Sequence, residues 1–237
     1  MQRYFADINQ DLTVKLSLDD EHHICHVMRM KKGDEIEVVY DGKVFLCRIE
    51  SFNPLKVAVV HEIENDVELK ENVTLLFALT KGDKIDLVVQ KATELGVKNI
   101  ALINTERTIV KYDNKDIAKK CARFEKIMKE ASEQSHRLCV PKLLGIFDLK
   151  NIPKEAMCDL NYVAYEKDAS QTDTMFSNLE KGKSISILIG PEGGFSYQEI
   201  DMVTKLGFIR TSLGKRILRA ETAALYALSV IGYLLEK

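Results

Sequence analysis

Residues 185–200, ISILIGPEGGFSYQEI, form the stretch on which the prediction of the fold depends. Ile185–Ile189 is a short apolar run, which is typical of a buried strand. The next five residues, GPEGG, hold three glycines and a proline, and Ser196 and Glu199 have the spacing of a helix capping box. Because glycine has no Cβ, backbone N–H and C=O groups can approach a ligand closely. We therefore predict a strand, a ligand-binding turn and a capped helix.

A second stretch with the same organisation follows at residues 212–224, SLGKRILRAETAA. A predicted strand ends at Leu213, Gly214 forms a turn, and a basic loop leads into an alanine-rich helix. Neighbouring ends of parallel strands can form one pocket, so the two turns could line the same site. Arg219 and Glu221 would then lie at its mouth. The alternative for Arg219 is a surface salt bridge, for example with Glu221.

The ligand of these turns does not match the common phosphate-binding motifs. The GKS at residues 182–184 precedes a strand, whereas a P-loop needs this sequence at the start of a helix. No GxGxxG follows the first strand of the alternating region, which argues against a Rossmann dinucleotide site.

Composition limits the class of protein. The 237 residues are 46% hydrophobic and 30% charged, enough for one large domain or two small ones. We find no apolar run long enough to span a membrane and no secretory signal. The five cysteines are widely spaced and form no CxxC, which favours a cytoplasmic protein without disulfides. The histidines at 22, 23 and 26 lack a completing set of ligands, so we predict no metal.

The first 60 residues have the pattern of a β module. Two short strands, Ile36–Val39 and Val44–Ile49, flank the hairpin signal Asp41-Gly42. A third strand is predicted at Leu55–Val60, and Asp19–Met30 is predicted as a helix. An acidic connector then leads to a domain boundary near residue 70.

From residue 71 onwards strands alternate with helices, which indicates a mostly parallel sheet. The predicted strands are Val73–Leu79, Ile100–Ile103, Tyr162–Tyr165, Ile185–Ile189 and Ile209–Leu213, and the predicted helices are Asp83–Leu95, Asp116–Gln134, Tyr197–Leu206 and Glu221–Leu235. The last of these helices is apolar on more than one face. One face can pack on the sheet, and either a second copy of the chain or a neighbouring helix must cover the other.

The net charge of −2 conceals two local basic clusters that could bind phosphate. One comprises Lys119, Lys120, Arg123, Lys126 and Lys129, and the other Lys215, Arg216 and Arg219. The alternative for the first cluster is a solvated helix face.

The order of several motifs resembles one family. GPEGGFS and LGKRILRAETA, together with His23 and Val27-Met28-Arg29, resemble the SPOUT-type methyltransferases and, among them, the ribosomal RNA small subunit methyltransferase E (RsmE) family. Met28 stands where that family has leucine. Further matching elements are Thr80–Lys84, Gln90-Lys91, Glu94–Gly96, Glu106-Arg107 and Glu130–Arg137. The resemblance covers nearly the whole chain.

The resemblance implies an α/β protein with a PUA-like RNA-binding β-barrel at 1–70 and a SPOUT methyltransferase domain at 71–237. That domain is expected to have a mostly parallel sheet and a deep trefoil knot holding S-adenosylmethionine. The implied substrate is uridine N3 in 16S rRNA (uridine 1498 in rRNA numbering), and the implied assembly is a homodimer that binds 16S rRNA or the 30S subunit.

Site residues follow from the same resemblance. Arg219 and Glu221 are the catalytic candidates, since a guanidinium could stabilise the charge left on uracil when N3 loses its proton. The cofactor-binding candidates are Leu188, Ile189, Gly190, Pro191, Glu192, Gly193, Gly194, Leu213, Gly214, Ile217, Leu218 and Arg219. The RNA-binding candidates are His23, Arg29, Lys31, Lys32, Arg107 and Arg137. Glu221 is one possible proton acceptor, but an acidic residue also suits a helix N-terminus.

Two other functions stay open at this point. One is a related methyltransferase that acts on tRNA or on a ribose 2′-OH. The other is an RNA-binding assembly factor that has lost catalysis, although intact glycine turns argue against it.

Overall fold

The computed structural model describes residues 1–108, 114–165, 176 and 178–237, with only the backbone of residues 114 and 115. The chain divides into two compact units. The first combines residues 1–68 with 132–139, and the second combines residues 69–131 with 140–237. The boundary at 68/69 lies close to residue 70, but residues 132–139 join the first unit from far along the chain.

The first unit is built on a four-stranded sheet in the order β1-β4-β5-β6. Its elements are β1 (Arg3–Phe5), β2 (Asp7–Ile8), β3 (Val14–Lys15), α1 (Leu18–His22), a π-helical turn (His23–Val27), β4 (Glu35–Tyr40), β5 (Lys43–Phe52) and β6 (Leu55–Ile63). Strand β1 is parallel to β4, while β4, β5 and β6 form an antiparallel meander. Asp41 and Gly42 adopt positive φ in the tight turn between β4 and β5, which confirms the predicted hairpin.

The helix predicted at Asp19–Met30 is wrong in its extent. Helix α1 begins after Ser17, whose hydroxyl accepts the Asp20 N–H at 3.2 Å, and covers only five residues. A π-helical turn continues it to Val27, and Arg29 leaves the helix with a φ of +52°. The apolar spacing of this segment does not distinguish an α-helix from a helix whose last turn widens.

The second unit contains a six-stranded sheet in the order β12-β10-β11-β7-β8-β9, in which every pair of neighbours is parallel. Its strands are β7 (Val73–Ala78), β8 (Asn99–Asn104), β9 (Lys142–Asp148), β10 (Leu160–Ala164), β11 (Ile185–Ile189) and β12 (Ile209–Thr211). Its helices are α2 (Lys84–Glu94), α3 (Asn114–Gln134), α4 (Tyr197–Lys205) and α5 (Ala220–Glu236), with 3-10 turns at Leu149–Asn151 and Lys154–Ala156.

The two central strands of this sheet are mostly apolar because they are buried on both faces. Strands β7 and β11 pair with each other, and every one of their residues is buried. Strands covered on both faces read as continuous apolar stretches rather than as an alternating pattern. Helix α5 packs against α2 and β11 on one side of the sheet. The carboxyl ends of β10, β11 and β12 therefore lie side by side and lead into the loops that form the site.

Candidate functional site

A cavity of about 320 Å³ lies at the carboxyl ends of β10, β11 and β12. One wall is the glycine-rich turn after β11, and the other is the loop after β12 with the start of α5. The lining residues are Ala164, Tyr165, Ile189, Gly190, Pro191, Glu192, Gly193, Gly194, Phe195, Leu213, Gly214, Arg216, Ile217, Leu218, Arg219, Ala220 and Ala223. The structure thus brings the two sequence stretches together around one space.

Most residues assigned to the cofactor from sequence lie at this cavity. Leu188 does not line it, and its side chain is fully buried in β11. Sequence reasoning missed Tyr165, which follows β10 and also faces the cavity. The Tyr165 hydroxyl is buried and makes no hydrogen bond within the described part of the chain. Tyr165 therefore joins the residues that border the cavity.

Glycine is favoured at each of three positions in the turn, for a different structural reason in each case. A Cβ on Gly190 would lie 2.9 Å from the Phe195 ring, and one on Gly193 would lie 3.3 Å from Cβ of Arg107. Gly194 has a φ of +63°, a conformation that L side chains rarely adopt. The turn is therefore packed tightly against its own neighbours, in addition to bordering the cavity.

Glu199 fixes the far end of this turn. The predicted capping box is confirmed: Glu199 Oε2 accepts the Ser196 N–H at 2.8 Å, and Ser196 Oγ accepts the Glu199 N–H at 3.2 Å. The other carboxylate oxygen, Oε1, accepts the N–H of Glu106 at 2.8 Å. One buried carboxylate therefore joins the loop after β8 to the start of α4.

Arg107 lies against the glycine turn. Its Nη1 donates to the carbonyl oxygen of Gly193 at 2.7 Å, and its stem packs beside the Gly193 Cα. The resemblance offers Arg107 as an RNA contact, and the structure places its guanidinium at an exposed hydrogen bond on the wall of the cavity.

Arg219 and Glu221 differ in their surroundings. Arg219 is exposed and lines the cavity, and its guanidinium makes no hydrogen bond or ion pair with the described residues. The predicted alternative, a salt bridge between these two residues, is not formed. Glu221 lies in the first turn of α5, where its Oε2 is buried without a hydrogen bond from the described residues and stands 3.7 Å from Lys84 Nζ.

The Lys84 ammonium also reaches the glycine turn. Its Nζ lies 2.8 Å from Glu192 Oε1. The hydrogen bond to Glu192 raises the pKa of Lys84, against the effect of desolvation. Burial raises the pKa of the Glu192 carboxyl, but the hydrogen bond and charge of Lys84 outweigh it and leave that pKa below its ordinary value. Both groups are therefore charged at neutral pH.

The first unit presents a short run of exposed cations. Arg29, Lys31 and Lys32 are all exposed and follow the π-helical turn. His23 lies partly inside, and its Nδ1 is 2.9 Å from the hydroxyl of Tyr4. Burial, together with nearby carboxylates, raises the pKa of Tyr4, so its phenol stays protonated. The partner of His23 is therefore a neutral group, and Arg29, Lys31 and Lys32 are exposed cations nearby in the sequence.

Arg137 has a different environment from the other RNA-binding candidates. Only 3% of it is exposed, and its Nη2 lies 2.7 Å from Glu68 Oε2 within the first unit. Glu68 Oε1 also accepts the N–H of Leu138 at 2.8 Å. A buried guanidinium that is paired with a carboxylate is not available to phosphate, so Arg137 is not one of the proposed RNA contacts.

Arg123, from the first basic cluster, forms an ion pair with Asp86 and is otherwise exposed. This favours the alternative of a solvated, ion-paired helix face. Among the described residues, no group of three or more His, Cys, Asp or Glu side chains is arranged to hold a metal ion. No helix in the described ranges has the length and apolar character needed to cross a membrane.

Comparisons with known proteins identify the class to which this fold and site belong. A family model for an RNA methyltransferase domain matches residues 67–232, and one for an RNA methyltransferase PUA domain matches residues 19–60. The chain therefore combines an N-terminal PUA domain with a domain of the RNA methyltransferase family, which confirms the predicted fold class.

The family can be named more closely. The chain is 37% identical to ribosomal RNA small subunit methyltransferase E of Bacillus subtilis, over 98% of this chain and 96% of that one. It is 31% identical to the protein of that name from Mesomycoplasma hyopneumoniae, covering 97% and 98%. The crystal structure of the Neisseria gonorrhoeae methyltransferase E bound to S-adenosylmethionine has a TM-score of 0.85 and 31% identity, covering 99% and 98%. This chain belongs to the ribosomal RNA small subunit methyltransferase E family.

Proposed function

We propose that this protein transfers a methyl group from S-adenosylmethionine to N3 of a uridine in 16S rRNA, at the position equivalent to uridine 1498. The observation that carries the proposal is the cavity formed by the glycine turn and the Leu213–Ala220 segment, with the Arg219 guanidinium at its edge. The Neisseria gonorrhoeae relative, crystallised with S-adenosylmethionine, supports the choice of cofactor.

The cavity suits this cofactor in size and in lining. Its volume of about 320 Å³ is at the lower end of the range for small-molecule sites. The walls offer backbone groups of residues 189–194 and 213–218 and apolar side chains for a purine. When bound, the cofactor supplies a methyl group already activated by its positive sulfur.

The chain's own task is to orient the uracil and to help N3 lose its proton. The charge that remains is spread over the two carbonyl oxygens. The Arg219 guanidinium, which has no ion pair with the described residues, is suited to stabilise that charge. Glu221 stays a candidate for the proton acceptor, since its Oε2 receives no hydrogen bond from the described residues. A group positioned for one proton transfer typically contributes a factor of roughly 10²–10⁴ in rate.

RNA binding is assigned to cations in both units. Arg29, Lys31 and Lys32 are exposed in the first unit, and Arg107 is exposed in the second. We propose that they contact phosphates, which position the RNA without reading its sequence. We propose that His23, whose Nδ1 lies 2.9 Å from the Tyr4 hydroxyl, belongs to the same RNA-binding surface of the first unit.

Mass mapping of 16S rRNA tests this function. Ribosomal RNA from cells with and without the protein is digested, and the fragment that holds the expected uridine is compared for one added methyl group. Purified protein with labelled S-adenosylmethionine should restore the mark on 30S subunits or 16S rRNA that lack it. A mark on tRNA or on a ribose 2′-OH would replace the proposed substrate, and RNA binding without methyl transfer would indicate an assembly factor.

We also propose a homodimer that uses α5. Tyr226 and Tyr233 lie two turns apart on this helix and are 38% and 62% exposed, next to the partly buried Val230 and Leu234. A twofold mate would cover this strip. Light scattering at micromolar concentration should give twice the mass of the chain, and a monomeric mass would contradict the proposal. The trefoil knot and the cytoplasmic location stay predictions.

A further inference from the structure

The two walls of the cavity come from parts of the chain that are distant in sequence. One wall is the turn at residues 190–195, and the other is the loop at residues 213–219 with the start of α5. Among the described residues, no hydrogen bond joins these two segments directly. Their spacing therefore depends on the apolar core beneath them and on any polar group that contacts both walls.

Lys84, the first residue of α2, contacts both walls and lines neither. Its Nζ lies 2.8 Å from Oε1 of Glu192 in the glycine turn and 3.7 Å from Oε2 of Glu221 at the start of α5. Only 33% of the Lys84 side chain and 15% of the Glu221 side chain are exposed, so solvent screens this contact incompletely.

The contact between Lys84 and Glu221 involves the more buried of the two carboxylates. Glu221 Oε2 is buried and has no hydrogen-bond donor among the described residues. Without the ammonium, the start of α5 would carry a largely buried carboxylate beside the Glu192 carboxylate. The carboxylates of Glu192 and Glu221 would then repel each other, and this repulsion would move the glycine turn away from the start of α5.

We propose that Lys84 is a positioning residue for the cofactor cavity: its ammonium ties the glycine turn to the start of α5 and sets the distance between them. This inference rests on the proposed function, because it assumes that the cavity holds S-adenosylmethionine. Lys84 acts through Glu192 and Glu221 and need not touch the reacting atoms.

Lys84→Met removes the charge while it keeps most of the side-chain length. Isothermal titration of the purified full-length variant with S-adenosylmethionine should show binding weakened roughly three- to tenfold, the order expected for one partly exposed ion pair and one carboxylate left without a partner. In steady-state assays the cofactor KM should rise, because the change weakens cofactor binding.

Lys91→Met is a matched control. Lys91 lies on the same helix, is 39% exposed in its side chain, and pairs with Glu94 at 2.8 Å, away from the cavity. Its replacement should leave the affinity for S-adenosylmethionine unchanged. Lys84→Arg should restore most of the affinity, since a guanidinium can also bridge two carboxylates.

Glu192→Gln tests the same contact from its other side and covers the case in which Lys84→Met does not fold. It should weaken binding to a similar degree, and the double variant should lose less than the sum of the two. Binding by Lys84→Met within twofold of the unmodified protein, an equal loss in Lys91→Met, or no recovery with Lys84→Arg would each overturn the proposal. Absence of binding in the unmodified protein would instead refute the cofactor site itself.

Discussion

Replacing Glu199 with glutamine tests how the glycine turn is held. The Glu199 residue is only 7% exposed, and its two oxygens accept the N–H groups of Glu106 and Ser196, each at 2.8 Å. Glutamine has nearly the same volume but keeps one oxygen and puts an NH₂ group in place of the other. One of the two backbone donors would therefore face another donor.

The cost can be worked from these contacts. A hydrogen bond to a charged group contributes about 1.5–3 kcal/mol, and a buried donor without an acceptor costs about 1–3 kcal/mol. Glutamine also avoids the desolvation of a buried charge, which offsets part of this loss. We expect Glu199→Gln to lower the free energy of unfolding by about 2–3 kcal/mol, or roughly 4–12 °C in Tm for a protein of this size.

Urea unfolding followed by circular dichroism measures this difference, because the chain has no tryptophan for fluorescence. Asp201→Asn is the matched control on the same helix, since Asp201 is exposed and pairs with Lys205 at 2.6 Å. That change should cost no more than about 0.5 kcal/mol. A Glu199→Gln protein as stable as this control would refute the bracing role of the carboxylate.

Three further predictions concern the turn, the two arginines and the pH. Gly193→Val would force its branched side chain against Arg107, so calorimetry should show S-adenosylmethionine binding weakened roughly tenfold in a folded protein; unchanged binding would contradict the assignment of the cavity. At saturating RNA, Arg219→Ala should slow methyl transfer by one to a few powers of ten, whereas Arg29→Ala should mainly weaken RNA binding and reduce its salt slope by about one; full turnover by Arg219→Ala would make this residue only a surface cation. Burial raises the pKa of Glu68, but its hydrogen bonds and the charge of Arg137 outweigh burial and lower it below 4.5. The stability that Glu68 contributes is therefore present above pH 4.5 and lost as the pH falls through its lowered pKa; Glu68→Gln should remove this part of the acid dependence in thermal melts.

Several elements of the second unit could be predicted, because an apolar run or a capping box within a few residues determines each of them. Strand β11 has the bounds expected from its apolar run, and the capping box places the start of α4. Strands β1 and β9 were missed for a physical reason. Strand β1 has only three residues and is defined by its parallel pairing with β4, while β9 is interrupted by Gly145. Strand β1 is too short to show a pattern of its own, and Gly145 divides the apolar run of β9 into two pairs.

The parts of the candidate site that depend on residues adjacent in sequence were predictable. The two glycine-containing turns fall in this class, and they line one cavity. The partners of Arg107, Arg137 and Lys84 were not predictable, since they lie 86, 69 and 108 residues away along the chain. A basic residue in a sequence does not reveal whether its charge faces solvent or a carboxylate brought in by the fold.

The return of residues 132–139 to the first unit limits how this chain can be divided. Arg3 donates to the carbonyl oxygens of His136 and Arg137, and Glu68 receives the Arg137 guanidinium. A fragment that ends at residue 70 would carry both Arg3 and Glu68 without these partners. Recombination at a single point therefore cannot exchange the whole N-terminal unit. A replacement would also need a matching segment at residues 132–139, which lie within the sequence of the methyltransferase unit.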